Sequence, residues 1–175
     1  MKKTNLILIG MPGAGKSTIG VILAKRIGYH FIDTDLIIQS QQKCRLQQII
    51  NQRGLTEFRQ IEEQTLLDLQ TDHTVIATGG SAIYCTNGLL KLAENGYRIY
   101  LQVSLDSLQQ RIADMGQRGL VMEKGQSFAQ LYQERSPLYT QEADLTINCG
   151  KLNAEQIAIK IEEELTHHFP DIHLP

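Results

Sequence analysis

The segment "LILIGMPGAGKSTIG", residues 6–20, constrains this chain more than any other. Four apolar residues with strand character, Leu6–Ile9, run into "GMPGAGKS", a full match to Gly-x-x-x-x-Gly-Lys-Ser/Thr, and a helical pattern starts at Lys16. Strand, glycine loop and helix in that order form a phosphate cradle. The glycines let the backbone wrap until successive N–H groups converge on one point. The helix that follows aims the positive end of its dipole at the same place. The backbone of Gly13, Ala14 and Gly15 is therefore expected to hold the phosphates of a nucleoside triphosphate. Lys16 is expected to reach the β- and γ-phosphates, Ser17 to ligate Mg²⁺ through its hydroxyl, and Thr18 to add a further phosphate contact.

A loop of this kind needs a parallel sheet, and the rest of the chain supplies the pattern for one. Strands are predicted at 5–9, 30–32, 74–77, 98–103 and 145–147. Helices are predicted at 16–27, 35–52, 56–70, 87–95, 105–114, 128–142 and 153–166, the sixth of them interrupted at Pro137. Strands separated by helices imply crossovers and a sheet covered on both faces. The 175 residues suit one domain, and no repeat, linker or boundary divides them. Residues 115–127, "MGQRGLVMEKGQS", have little periodicity and read as a long loop, either a disordered surface connection or a lid or binding loop.

Composition excludes several classes of function. A net charge of −2 and the absence of tryptophan argue against a nucleic-acid or membrane-surface binder. No apolar run approaches a membrane span, and the run after the N-terminal lysines is too short for a signal peptide. The three cysteines, Cys44, Cys85 and Cys149, fit no metal pattern and read as reduced thiols of a cytoplasmic protein. The histidines of the tail "THHFPDIHLP" have no fixed ligand spacing.

Three clusters bear on what receives the phosphate. In "HFIDTDLII" two aspartates stand at the carboxyl end of a predicted strand, where open α/β sheets place ligands. Asp33 suits Mg²⁺ held through water, and Asp35 suits an acceptor hydroxyl; the plain alternative is that one of them caps the next helix. In "GLTEFRQIEEQ", Arg59 and Glu62 share a helix face, so that Glu62 is placed to hold the guanidinium, as a surface pair would. In "LYQERSPLYTQEAD", Arg135 offers a planar guanidinium suited to a carboxylate. No Asn-Lys-x-Asp motif of GTPase type is present, and the length fits a small-molecule kinase.

The phosphate loop, "DTD", "FRQIE", a strand ending in "TGG", "QRG" and "ERSPLY" occur in the order and spacing of the shikimate kinases, and the chain resembles that family from Leu6 to about Ile147. The resemblance implies a three-layer α/β P-loop fold of the nucleoside-monophosphate-kinase type. It has a five-stranded parallel sheet, a mobile lid at about 112–127 and a substrate-binding region at about 33–62. It implies a single domain over 1–175, working as a monomer with ATP and Mg²⁺, that phosphorylates the 3-hydroxyl of shikimate. By position, Asp35 matches the aspartate at the acceptor hydroxyls and Asp33 the magnesium-associated one. Arg59 and Arg135 match the arginines that grip the shikimate carboxylate, and Gly79, Gly80 and Ser81 the turn lining the substrate. Arg118 matches the lid arginine that meets the transferring phosphate, and Arg111 the one that packs on adenine.

Two departures from the family pattern stand out. Ser81 occupies the place of a third glycine, and Gly119-Leu120-Val121 that of Pro-Leu-Leu. With them a different hydroxy or sugar acid stays open as acceptor, as does a nucleotide-binding regulator that performs no chemistry.

Overall fold

In the computed structural model, residues 3–115, 121–123, 125–170 and 172 are described, without the side chains of 113–115. Thirteen elements follow one another. They are β1 (Asn5–Ile9), α1 (Lys16–Arg26), β2 (His30–Asp33), α2 (Thr34–Gln42), α3 (Leu46–Asp68), β3 (Thr74–Ala77) and a 3-10 turn (Ala82–Tyr84). Then come α4 (Thr86–Ala93), β4 (Gly96–Gln102), α5 (Leu105–Met115), α6 (Phe128–Glu142), β5 (Leu145–Asn148) and α7 (Ala154–His168). The five strands form one parallel sheet in the order β2-β3-β1-β4-β5.

The order follows from burial. Leu6, Ile7, Leu8 and Ile9 are all at most 1% exposed, so β1 is covered on both faces and belongs in the middle of the sheet. Helices cover both faces: α1 packs on α7, α3 on α4, and α5 on α6. The chain builds β2 and β3 on one side of β1 and β4 and β5 on the other, which opens a crevice at the carboxyl end of β1. Register puts the other loops at the same edge, because Leu8 pairs with Ala77 and Ala77 with Asp33. The glycine loop, the Asp33–Asp35 segment and the turn after β3 therefore leave the sheet side by side.

Two predicted helices differ in outcome. The single helix predicted over 35–52 is two, broken at Lys43, which is left-handed at φ 54°. Past the break, α3 begins, with the Arg45 N–H bonded to Gln48 Oε1. The break folds Leu46 and Ile49 back onto Ile38, and with Phe58 and Val121 they make a second, smaller core apart from the main one. The gap predicted at 53–55 survives only as a kink at Gly54, where φ is 82°. Helix α6 is not interrupted at Pro137 but runs through it to Glu142. The proline costs the bond that its N–H would have made to the carbonyl four residues earlier. Burial of Leu131, Arg135 and Tyr139 along one face holds the helix regardless.

No helix among the described residues is long and apolar enough to cross a membrane. The three cysteines are free, Cys85 and Cys149 buried and Cys44 half-buried.

Candidate active site

A cleft of about 1490 Å³ opens over the carboxyl edge of the sheet. Its floor is the glycine loop, Pro12 to Thr18, followed by α1. Gly13 and Gly15 have φ of 80° and 92°, conformations that side-chain-bearing residues resist, and Gly15 is the left-handed N-cap of α1. The loop is thus held open by residue choice, with Ser17 and Thr18 exposed on its rim. Lys16 is buried, and its Nζ donates to the carbonyls of Gly10 at 2.7 Å and Met11 at 3.0 Å. Burial lowers its pKa to about 8, against the opposing pull of Asp35. Arg111, in the cleft wall, donates to the Gly13 carbonyl at 3.2 Å and so braces the loop from α5.

The carboxylates come next. Asp33 Oδ1 accepts from the N–H groups of Asp35 (3.0 Å) and Leu36 (3.4 Å), so this residue caps α2 as the plain alternative held. Both bonds fall on one oxygen, which leaves Oδ2 free of them. Asp35, in the first turn of α2, lines the cleft. Burial, with Asp33 adding to it, raises its pKa to about 6 even though Lys16 pulls the other way.

The turn after β3 is where backbone comes closest to the site. The Gly79 N–H donates to Thr34 Oγ1 at 3.2 Å, and the Gly80 carbonyl accepts from the Tyr139 hydroxyl at 2.5 Å. A Cβ on Gly79 would stand 2.3 Å from Glu62 Oε1 and 2.8 Å from Asp35 Oδ1. Glycine is required there because two carboxylates converge on the Cα. A Cβ on Gly80 would meet Pro12 of the phosphate loop at 2.8 Å, so this turn and the loop are packed directly against each other.

Ser81 lies next to this turn's glycines. Expected among the substrate-lining residues, it is fully buried, and its Oγ donates to Glu62 Oε2 at 2.5 Å. Its hydroxyl is taken up by a buried carboxylate rather than presented to the cleft. Glu62 does not hold Arg59, as their shared helix face had suggested it would. It is fully buried, with Ser81 on Oε2 and Oε1 without a hydrogen-bond partner. Burial chiefly, then the Asp35 charge, push its pKa up to about 7 against the Ser81 hydrogen bond and Arg135.

The structure does bring the two arginines together, from α3 and α6. Their guanidinium carbons lie 4.7 Å (Arg59) and 5.1 Å (Arg135) from the centre of the Tyr84 ring, close enough for cation–π attraction. Tyr84 is in turn hydrogen-bonded to Glu134. Arg135 is 1% exposed and donates through Nη2 to the Val121 carbonyl at 2.6 Å and through Nε to the Tyr84 hydroxyl at 3.4 Å. Arg59 Nη2 lies 3.5 Å from Glu123 Oε1. One buried nitrogen on each, Arg59 Nε and Arg135 Nη1, has no partner. Arg118, Gly119 and Leu120 lie outside the described residues.

Missed by sequence reasoning were Tyr84, and Glu62 as a member of the carboxylate group. Its spacing from Arg59 gave Glu62 a face, but nothing in the sequence said that this face turns inward.

A glycine loop at the central strand, a buried lysine, paired carboxylates at the same sheet edge and two arginines gathered on one tyrosine define a P-loop phosphotransferase of the nucleoside-monophosphate-kinase type. A family model described as "Shikimate kinase" matches residues 12–166. A shikimate kinase of Synechococcus sp. (strain RCC307) is 37% identical over 169 residues, covering 94% of this chain and 86% of that protein. One of Xylella fastidiosa (strain 9a5c) is 32% identical over 168 residues, 94% of this chain and 93% of its own. Among solved structures, "Shikimate kinase from Acinetobacter baumannii in complex with shikimate" superposes with a TM-score of 0.87 at 30% identity, covering 95% of each chain. The chain belongs to the shikimate kinase family.

Proposed function

We propose that this chain transfers the γ-phosphoryl group of ATP to the 3-hydroxyl of shikimate, giving shikimate 3-phosphate and ADP. The observation that carries the reading is the pair of arginines that meet on Tyr84, Arg135 buried and Arg59 half-buried, each with one buried N–H that has no partner. Buried donors without acceptors are rare and mark a place that a ligand completes. Two guanidiniums suit a carboxylate, and a neighbouring pair of carboxylates suits hydroxyls, so the complementary molecule is a small polyhydroxy acid. Shikimate, bound in the Acinetobacter baumannii relative, is such a molecule.

In this reading Arg59 and Arg135 grip the acceptor's carboxylate, and the Gly79–Gly80 backbone lies along its ring. Asp35 accepts a hydrogen bond from the attacking hydroxyl and takes its proton as the new O–P bond forms and the bond to the β-γ bridging oxygen breaks. Lys16 and the backbone of Gly13, Ala14 and Gly15 hold the phosphates. Thr18 and Arg111 add contacts on the nucleotide side, and Arg118 meets the transferring group. Phosphoryl transfer asks mainly for positioning and charge neutralisation, and these residues supply both.

The residues present also fit Mg²⁺. No group of three or more His, Cys, Asp or Glu gathers among the described residues, so a cation here would rely on phosphate oxygens and water, as Mg²⁺ does. The Ser17 hydroxyl and the free Oδ2 of Asp33, through water, would hold it. Mg²⁺ when bound neutralises charge developing between the β- and γ-phosphates. We assign the region of about 33–62 to acceptor binding and about 112–127 to a lid, within one cytoplasmic, monomeric domain.

A coupled ADP-release assay with Mg·ATP tests the reading by comparing shikimate with other hydroxy acids and sugar acids. Shikimate should give the highest kcat/KM. Higher turnover with another acid would overturn the acceptor, and nucleotide binding without acceptor-dependent ADP release would overturn catalysis altogether.

A further inference from the structure

We infer that Ser81 is a positioning residue for acceptor binding: it pins the Glu62 carboxyl so that one oxygen faces Asp35 and Arg135 stays free for the acceptor. The inference rests on the function proposed above and concerns the residue that departs from the family's glycine.

The geometry is specific to one oxygen. Ser81 Oγ donates to Glu62 Oε2 at 2.5 Å, and Cys85 Sγ approaches the same Oε2 at 3.9 Å. Both donors come from the turn after β3, and both Ser81 and Glu62 are fully buried. Fixing Oε2 in this way fixes Oε1. That oxygen has no hydrogen-bond partner and stands 2.3 Å from the position of a Cβ on Gly79. Asp35 Oδ1 is 2.8 Å from the same point, so the two oxygens are within about 5 Å of each other. That separation lets one bound polyol donate to both. A buried acceptor left open beside a cleft residue is unfavourable unless a ligand's hydroxyl completes it.

Ser81 also decides where the Glu62 charge goes. Arg135 is close enough to act on Glu62 electrostatically, and its Nη1 is unpartnered. A carboxyl released from Ser81 would swing toward that nitrogen, where a charge-assisted bond is stronger than the one it lost. Arg135 would then be neutralised from inside the protein, and the acceptor's carboxylate would lose half of its clamp. A glycine at 81 has no hydroxyl with which to prevent this, so in this chain the serine does work that the family's usual residue leaves to other contacts.

The test is a double-mutant cycle on the full chain, with Ser81→Ala, Ser81→Gly as a second deletion of the hydroxyl, and Glu62→Gln, read by steady-state kinetics for both substrates. Ser81→Ala and Ser81→Gly should each raise the KM for shikimate about tenfold and leave that for ATP within about twofold. In the Glu62→Gln background the effect should shrink to about twofold or less, because an amide carbonyl lacks the charge that draws a carboxylate to Arg135. An unchanged KM for shikimate, equal increases for both substrates with a lowered Tm, or the same tenfold effect in Glu62→Gln would each overturn the inference. Failure of the unmodified enzyme to turn over shikimate would instead overturn the function on which it rests.

Discussion

Replacing Glu62 by glutamine should make the ligand-free protein more stable above neutral pH while damaging its activity. Glu62 is fully buried, and burial with the neighbouring Asp35 charge carries its pKa from 4.5 to about 7. In the unfolded chain it titrates at its ordinary value. Between those two pH values the folded state therefore holds more of a proton than the unfolded state does, and stability falls as pH rises through the window. Below pH 4.5 the penalty is absent, and above about 7 it is complete. The interval of 2.5 between the two values, at about 1.36 kcal/mol each, amounts to about 3 kcal/mol. Glutamine keeps the shape of the neutral acid and cannot ionise, and its carbonyl still accepts from Ser81. Urea unfolding of both proteins at steps from pH 4.5 to 8, without ligands, gives a difference curve from which groups common to both largely cancel. Glu62→Gln should match the unmodified protein at pH 4.5 and exceed it by about 3 kcal/mol at pH 8. A flat difference curve, or a variant less stable at pH 8, would refute a buried carboxyl forced to ionise at a cost.

Three further outcomes follow from the site. Asp35→Asn should lower kcat by about 10²–10³-fold with ATP affinity kept, measured by shikimate-dependent ADP release and a nucleotide-binding titration. Arg59→Ala and Arg135→Ala should each raise the KM for shikimate by about 10- to 100-fold and leave that of ATP nearly unchanged; equal changes in both would contradict the carboxylate clamp. Gly79→Ala should reduce kcat/KM roughly 100-fold while far-UV circular dichroism stays native, because its Cβ displaces the Glu62 and Asp35 oxygens without touching the core.

Much of this was legible in the sequence, for reasons that differ between residues. Strands β1 and β3 have the predicted bounds, and β2 and β5 each run one residue further, because short apolar runs between helical patterns leave little freedom. The phosphate loop was legible for the same reason: glycines at fixed offsets encode backbone shape. The break at Lys43 was not. Ile38, Leu46 and Ile49 are spaced eight and three apart, as a continuous helix would space them, and no glycine or proline marks the turn. Arg59 and Arg135 were identified by resemblance, whereas their meeting on Tyr84 is a fact of packing between α3, α6 and the 3-10 turn. Ser81 shows the limit of reading a side chain from its strand. Its place after Gly-Gly put it at the ligand edge, yet which way a turn residue points depends on the buried carboxyl across from it.

Lys16 has a consequence for selectivity. Two of the three N–H donors of its ammonium are already taken by carbonyls of its own loop. On the proposed function, a nucleotide does not meet a waiting cation but has to outcompete those carbonyls for it. Only a ligand with anionic oxygens at the β and γ positions can do so, because a charge-assisted bond to phosphate outweighs one to a neutral carbonyl. Adenosine or AMP offers nothing at that distance and leaves the lysine where it is. The resting loop thus works as a threshold: it keeps its shape when empty, and it responds to the length of the phosphate chain rather than to the base attached to it.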